Sequence, residues 1–286
     1  MAKNATRRHF LQASTLAAAA SLTPAAGCVS AQQPQRQQKN VAGGTKLKLG
    51  LASYTFREFG LDDTLEMTKR LGLKHIALKS FHLPLKSTSV QIADAGSKVK
   101  NAEINLYGVG VIYMNNIGQV ATAFKYAKRA GAKVIIGVPS YDLLELVNQK
   151  ARQYDIKVAI HNHGPGDKLY PTPAAAYEKI KKLDKRIGLC IDIGHTIRAG
   201  DNPAKAANKF ADRLLDVHIK DVSEATAKGR TVEIGRGVIN IPQFLKTLIK
   251  IKYKGVVSFE YEKDAKDPFA GLAESVGFVR GVLAAV

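Results

Sequence analysis

Short β-branched runs alternate with helical segments at a nearly constant step of about thirty residues over most of the chain, and this alternation restricts the fold more than any other feature. The strand candidates are Leu47 to Ser53, His75 to Lys79, Asn105 to Ile112, Lys133 to Val138, Lys157 to His161, Ile187 to Asp192, Leu214 to Lys220 and Gly255 to Glu260. Helix candidates lie near Leu61 to Leu71, Ser89 to Asn101, Asn116 to Ala130, Tyr141 to Tyr154, Pro173 to Leu183, Pro203 to Phe210, Ile241 to Ile251 and Pro268 to Leu283. Eight such pairs predict a single-domain α/β fold, a (β/α)8 barrel. A doubly wound open sheet is the alternative. It would carry a glycine-rich phosphate loop after its first strand, where Ser53-Tyr54-Thr55-Phe56-Arg57 stands instead. Gly72, Gly131 and Gly255 read as helix stops before the next strand.

The N-terminal residues stand apart from this pattern. Arg7-Arg8-His9-Phe10-Leu11-Gln12, followed by the apolar run Leu16 to Ala20, reads as a twin-arginine export signal spanning 1–31. Val29-Ser30-Ala31 has the small-residue spacing of ordinary cleavage, whereas Ala25-Ala26-Gly27-Cys28 resembles a lipobox whose cysteine would carry lipid. An amphipathic helix of the domain is a poorer reading, because no acidic residue precedes Glu58 and the apolar stretch is too short to span a bilayer. Gln32 to Gly44, rich in Gln and Gly, reads as part of a flexible linker over 32–45. The folded domain is then 46–286, working in the periplasm, with a lipid anchor as its one expected link to a membrane.

The formal net charge of +19 falls to about +16 without Lys3, Arg7 and Arg8, which raises the question of nucleic acid. The distribution argues against it. Lys125, Lys128, Arg129 and Lys133, or Lys179, Lys181, Lys182, Lys185 and Arg186, are spread over what read as outer helix faces. An anionic surface or acidic polysaccharide stays open as a long-range partner; the sequence does not speak to oligomeric state. Cys28 falls in the signal and Cys190 within the apolar run Ile187 to Ile193, so there is no disulfide framework and Cys190 is expected to be buried.

The chemistry gathers at the ends of the fifth to eighth predicted strands, which converge on one mouth in a closed barrel. His161 and His163, in His161-Asn162-His163, share one side of the fifth strand, with His161 the better placed ligand and His163 a substrate contact or merely a turn residue. Asp192 closes the sixth strand and is followed by His195; a buried Asp needs a cation or several donors to stay ionised. His218 shares a face with Lys220 on the seventh, with Asp216 beneath, and Glu260 ends the eighth with Glu262 two residues on. Each alone could be a satisfied core residue or a rim charge. Together His161, Asp192, His218 and Glu260 predict one divalent metal ion at the barrel mouth.

On these residues the chain resembles the xylose isomerase-like TIM barrel superfamily, the sugar phosphate isomerases and epimerases, over essentially all of Lys46 to Val286. The resemblance implies a manganese, magnesium, zinc or cobalt ion held by Glu, Asp, His and Glu. Asp192, His218 and Glu260 match the last three positions, and His195 a substrate-facing histidine three residues after the Asp. At the first position His161 replaces the frequent Glu, which still suits Zn²⁺ or Mn²⁺ but removes one carboxylate of the pair that two-base epimerisation uses.

The resemblance further implies transfer of a proton on carbon next to a carbonyl, through a metal-stabilised enediolate. Glu260 is the expected base, with Lys79, Lys220 and His195 as electrophile or proton shuttle and a lysine in so basic a mouth expected to have a lowered pKa. Tyr54, His82 and Tyr113, near the ends of strands one to three, and Arg236 in Gly235-Arg236-Gly237 are expected to line a carbohydrate pocket. The expected function is a metal-dependent isomerase or epimerase of a sugar or keto sugar, unphosphorylated because the protein is exported. The alternatives are a lyase or dehydratase with the same enolate chemistry, which loss of the second carboxylate favours, and a sugar-binding barrel without turnover.

Overall fold

A computed structural model describes residues 47–286. The expected signal, Cys28 and the 32–45 linker lie outside the described residues. Parallel strands β1 (Lys48–Ala52), β2 (His75–Leu78), β3 (Asn105–Met114), β4 (Val134–Pro139), β5 (Lys157–His161), β6 (Ile187–Asp192) and β7 (Leu214–Ile219) close with β10 (Val256–Phe259) into an eight-stranded barrel. Between β7 and β10, β8 (Asp221–Val222) and β9 (Thr231–Val232) form a small antiparallel hairpin. The helices are α1 (Leu61–Arg70), α2 (Ser89–Asn101), α3 (Ile117–Arg129), α4 (Leu144–Tyr154), α5 (Pro173–Ile180), α6 (Ile193–Arg198), α7 (Pro203–Lys209), α8 (Ile241–Lys250) and α9 (Phe269–Ala284).

Parallel strands covered by helices are buried on both faces, which is why the β6 sequence IGLCID is buried at every position although only alternate side chains point inward. Ala77, Tyr107, Ile136, Ala159, Cys190 and Val256 pack together in the lumen. A larger apolar layer fills the space between strands and helices. Helix α8 shows how the sequence builds that layer: Asn240 accepts from the Gln243 amide, Pro242 sits in the first turn, and Ile241, Phe244, Leu245 and Leu248 form one buried stripe.

Gly72 and Gly131 take the left-handed conformation after α1 and α3, with φ of +63° and +71°. Gly255 does not. After α8 that conformation falls on Lys252, with φ of +54°, and Gly255 is required for another reason: a Cβ there would lie 2.4 Å from the Leu215 carbonyl oxygen. Helix α6, absent from the helices expected from the sequence, follows β6 directly because Asp192 Oδ1 accepts the His195 amide at 2.8 Å and caps it.

Candidate metal centre

Strands β5, β6, β7 and β10 are consecutive neighbours in the barrel, and Asp192 is in register with His218. Their C-terminal ends bring His161, Asp192, His218 and Glu260 together, all buried, with one potential ligand atom from each within 4.8 Å of the others. His161 Nε2 lies 3.1 Å from His218 Nδ1 and 3.6 Å from Asp192 Oδ2, and His218 Nδ1 lies 3.2 Å from Glu260 Oε2.

These residues fit a divalent cation in three respects. The spacings are those of ligand atoms about 2.0–2.3 Å from a shared ion. Of the converging atoms, Asp192 Oδ2 is buried without a hydrogen bond, a costly arrangement for a carboxylate oxygen. The charge is also suitable: burial drives the His161 pKa down to about 3, keeping its imidazole neutral. Asp192 and Glu260, despite burial, are held well below the usual carboxylate range, Asp192 by His195 and Lys220 and Glu260 by Lys220 and His218.

Lys220 is the cation already among them. Its Nζ donates to Glu260 Oε2 at 2.8 Å, pairs with Glu262, and lies 2.9 Å from Asp192 Oδ2 without hydrogen-bond direction toward it. The lowered pKa expected for a mouth lysine is therefore reversed here: burial acts downward, but Asp192, Glu260 and Glu262 outweigh it and raise the pKa well above the ordinary value. Glu262 is thus part of the centre, unassigned by sequence because nothing local pairs it with Lys220. For Lys79 the expectation holds. Half-buried at the end of β2, its Nζ donates to the Val111 carbonyl at 3.0 Å, and desolvation lowers its pKa against the pull of Glu260.

Below the ring, Asp216 Oδ2 lies 3.6 Å from His218 Nε2 and accepts from Cys190 Sγ at 3.4 Å. Tyr107 crosses the lumen to donate to Asp216 Oδ1 at 3.1 Å and meets Ser258 Oγ at 2.6 Å. Burial raises the Asp216 pKa to about 6. Asn162 fixes the Asp192 backbone, its Oδ1 accepting the Asp192 amide at 3.0 Å.

At the mouth, His163 lies beside the His161 ring, with centroids 4.5 Å apart, and its Nε2 meets Tyr113 Oη at 3.1 Å. His195 Nε2 is 4.0 Å from Asp192 Oδ2, and burial lowers the pKa of both His163 and His195. Tyr54 follows β1 and receives Lys79 and Arg57 over its ring.

Two expected pocket residues are placed otherwise. His82 is buried with both nitrogens engaged, Nδ1 with Ser53 Oγ at 2.9 Å and Nε2 with Thr64 Oγ1 at 3.0 Å, and so ties α1 to the ends of β1 and β2. Arg236 pairs with Glu274 of α9 at 2.5 and 2.8 Å. Its loop is wrapped around buried Asp221, whose carboxylate accepts the amides of Gly235, Gly237 and Ile239 and turns the arginine onto the outer helix.

The pattern of the xylose isomerase-like TIM barrel family matches residues 57–282. The chain is 25% identical over 135 residues to the rhizopine catabolism protein MocC of Rhizobium meliloti, covering 41% of this chain and 40% of MocC. It is 25% identical over 143 residues to the inosose dehydratase of Clostridium beijerinckii, covering 43% of this chain and 46% of that enzyme. The chain thus spans less than half the length of these relatives. A crystal structure of the IOLI protein with a bound zinc atom superimposes with a TM-score of 0.72 at 21% identity, covering 84% of this chain and 99% of that one, a likeness of fold.

Proposed function

From the premise that this chain belongs to the xylose isomerase-like TIM barrel family, we propose that it is a divalent-metal-dependent enzyme removing a proton from the carbon next to a carbonyl of a sugar, keto sugar or cyclic polyol ketone. The observation that carries this reading is the buried quartet of His161, Asp192, His218 and Glu260 at the barrel mouth. A divalent ion held there would polarise substrate oxygens and favour negative charge developing on them. The protein's own residues do the rest. Both ion-pair contacts of Glu260 fall on Oε2, which leaves Oε1 as the oxygen to take the substrate proton. Lys79 and His195 flank the mouth as donors, and Tyr113 with His163 offers a polar edge for hydroxyls.

Elimination is the outcome these residues serve best. Glu260 takes the proton, the hydroxyl on the next carbon leaves as water with a proton from the Lys79 ammonium, and a carbon–carbon double bond forms beside the carbonyl. His161 supports this reading over epimerisation, since it stands where a second carboxylate would oppose Glu260; similarity to inosose dehydratases points the same way. Isomerisation or epimerisation is the second reading, favoured by the imidazoles of His163 and His195 beside the quartet, whose lowered pKa suits either of them to take a proton from a substrate hydroxyl or carbon and, as the imidazolium so formed, to return it. The Arg7-Arg8 motif supports action outside the cytoplasm on an unphosphorylated substrate.

The test is incubation of metal-loaded protein with keto sugars and keto-inositols in D₂O. Loss of water with growth of enone absorbance supports elimination. An epimer or isomer carrying deuterium supports the second reading. No exchange and no product across the panel would overturn both.

A further inference from the structure

At the opposite end of the barrel, where the strands begin, lies a cavity of about 490 Å³. Its lining includes Lys48, Lys133, Lys157, Lys252, Lys254 and His75, and no carboxylate. The topology produces this ring. Lys48 opens β1, Lys157 opens β5 beside Lys133, whose carbonyl accepts the Lys157 amide at 3.0 Å, and Lys252 and Lys254 precede β10, the neighbour of β1. None of the five lysines has an ion-pair partner among the described residues, and Asp155, which feels Lys133, is taken by Arg186 at 2.9 Å. Nor can the N-terminal segment neutralise the ring, having no acidic residue before Glu58.

Five like charges around one concavity repel one another, an arrangement that a multiply charged anion relieves. We propose that this cavity is a phosphate-binding site, separate from the metal centre and independent of the reaction catalysed there. A lone carboxylate would leave most of the ring's charge unmatched, whereas phosphate presents several acceptors to flexible ammonium donors and supplies several charges, either within one polyphosphate or as neighbouring singly charged phosphodiester headgroups on a membrane surface. The group could belong to a soluble polyphosphate or to a phospholipid headgroup.

The experiment uses the full chain. Inorganic tripolyphosphate is titrated calorimetrically, and vesicles of phosphatidylglycerol or phosphatidylcholine are tested by co-sedimentation. Lys133→Glu/Lys157→Glu is compared with Lys205→Glu/Lys209→Glu, which makes the same charge change on the exposed face of α7. The cavity variant is expected to lose about tenfold or more in affinity, at unchanged metal content, while the α7 variant stays near the parent. Tripolyphosphate binding alone identifies a soluble ligand; binding of phosphatidylglycerol vesicles alone identifies a headgroup. Absence of binding to both probes, or equal loss in the two variants, overturns the proposal.

Discussion

Lys220 Nζ lies 2.8 Å from Glu260 Oε2, inside the ring of side chains that fits a divalent ion, and 2.9 Å from Asp192 Oδ2. One ammonium thus lies against both carboxylates of the quartet and offsets part of their charge. Lys220→Met should leave two buried carboxylates under-compensated and lower the stability of the metal-free protein by about 3–5 kcal/mol. Zinc should then raise the melting temperature more than in the parent. Thermal melts with and without chelator measure this; equal melting temperatures for the two metal-free proteins would show that the pair is not stabilising.

Asp192→Ala and His218→Ala each remove one member of the quartet while leaving the strands paired. Both are expected to keep the parent's far-UV circular dichroism and lose the roughly one ion per chain that a single four-ligand site holds. Mass spectrometry of the purified protein reads the metal content. An active variant without metal would refute the site.

Asp216 approaches His218 from below, and Asp216→Asn keeps the shape and the Tyr107 contact while removing the charge. Metal affinity should weaken about 10- to 100-fold, the usual effect of losing an outer carboxylate behind a histidine ligand. Competition with a fluorescent chelator separates this from a folding defect. Unchanged affinity would leave Asp216 a purely internal hydrogen-bonding residue.

Tyr113 and His82 should respond oppositely. Tyr113 is 49% exposed, so Tyr113→Phe should raise KM severalfold through loss of its bond to His163, with stability unchanged. His82→Ala strands the buried Ser53 and Thr64 hydroxyls and should cost about 2–4 kcal/mol of stability. Arg236→Ala, breaking an exposed pair with Glu274, should change neither by much.

Acid should loosen the loops near Glu233. Hydrogen bonds from Lys263 and Tyr261 lower its pKa from 4.5 to about 2. A depressed folded-state pKa means that the stabilisation is complete above pH 4.5 and is lost as pH falls toward 2. Glu233→Gln should therefore flatten the dependence of melting temperature on pH across that window. An unaltered slope would assign it to other carboxylates.

The strands and the quartet were legible in the sequence because both are local signals: an apolar run ends, and the residue ending it carries a ligand atom. The parity that puts Asp192, His218 and Glu260 on the inner face is fixed within a few residues of each. What was hidden depends on distant partners. Lys220 meets Glu262 across 42 positions and Tyr107 meets Ser258 across 151, so neither the raised lysine pKa nor the lumen network has a local signature. His82 and Arg236 were displaced from the pocket for the same reason, since Thr64 lies 18 positions from the one and Glu274 lies 38 from the other.

Asp192 both caps α6 and belongs to the quartet, and the two roles divide its carboxylate. With Oδ1 committed to the His195 amide, only Oδ2 is turned toward the other ligands. The denticity of this residue is therefore set by backbone geometry: it offers a cation a single oxygen, and rotating the group to offer both would uncap the helix that carries His195.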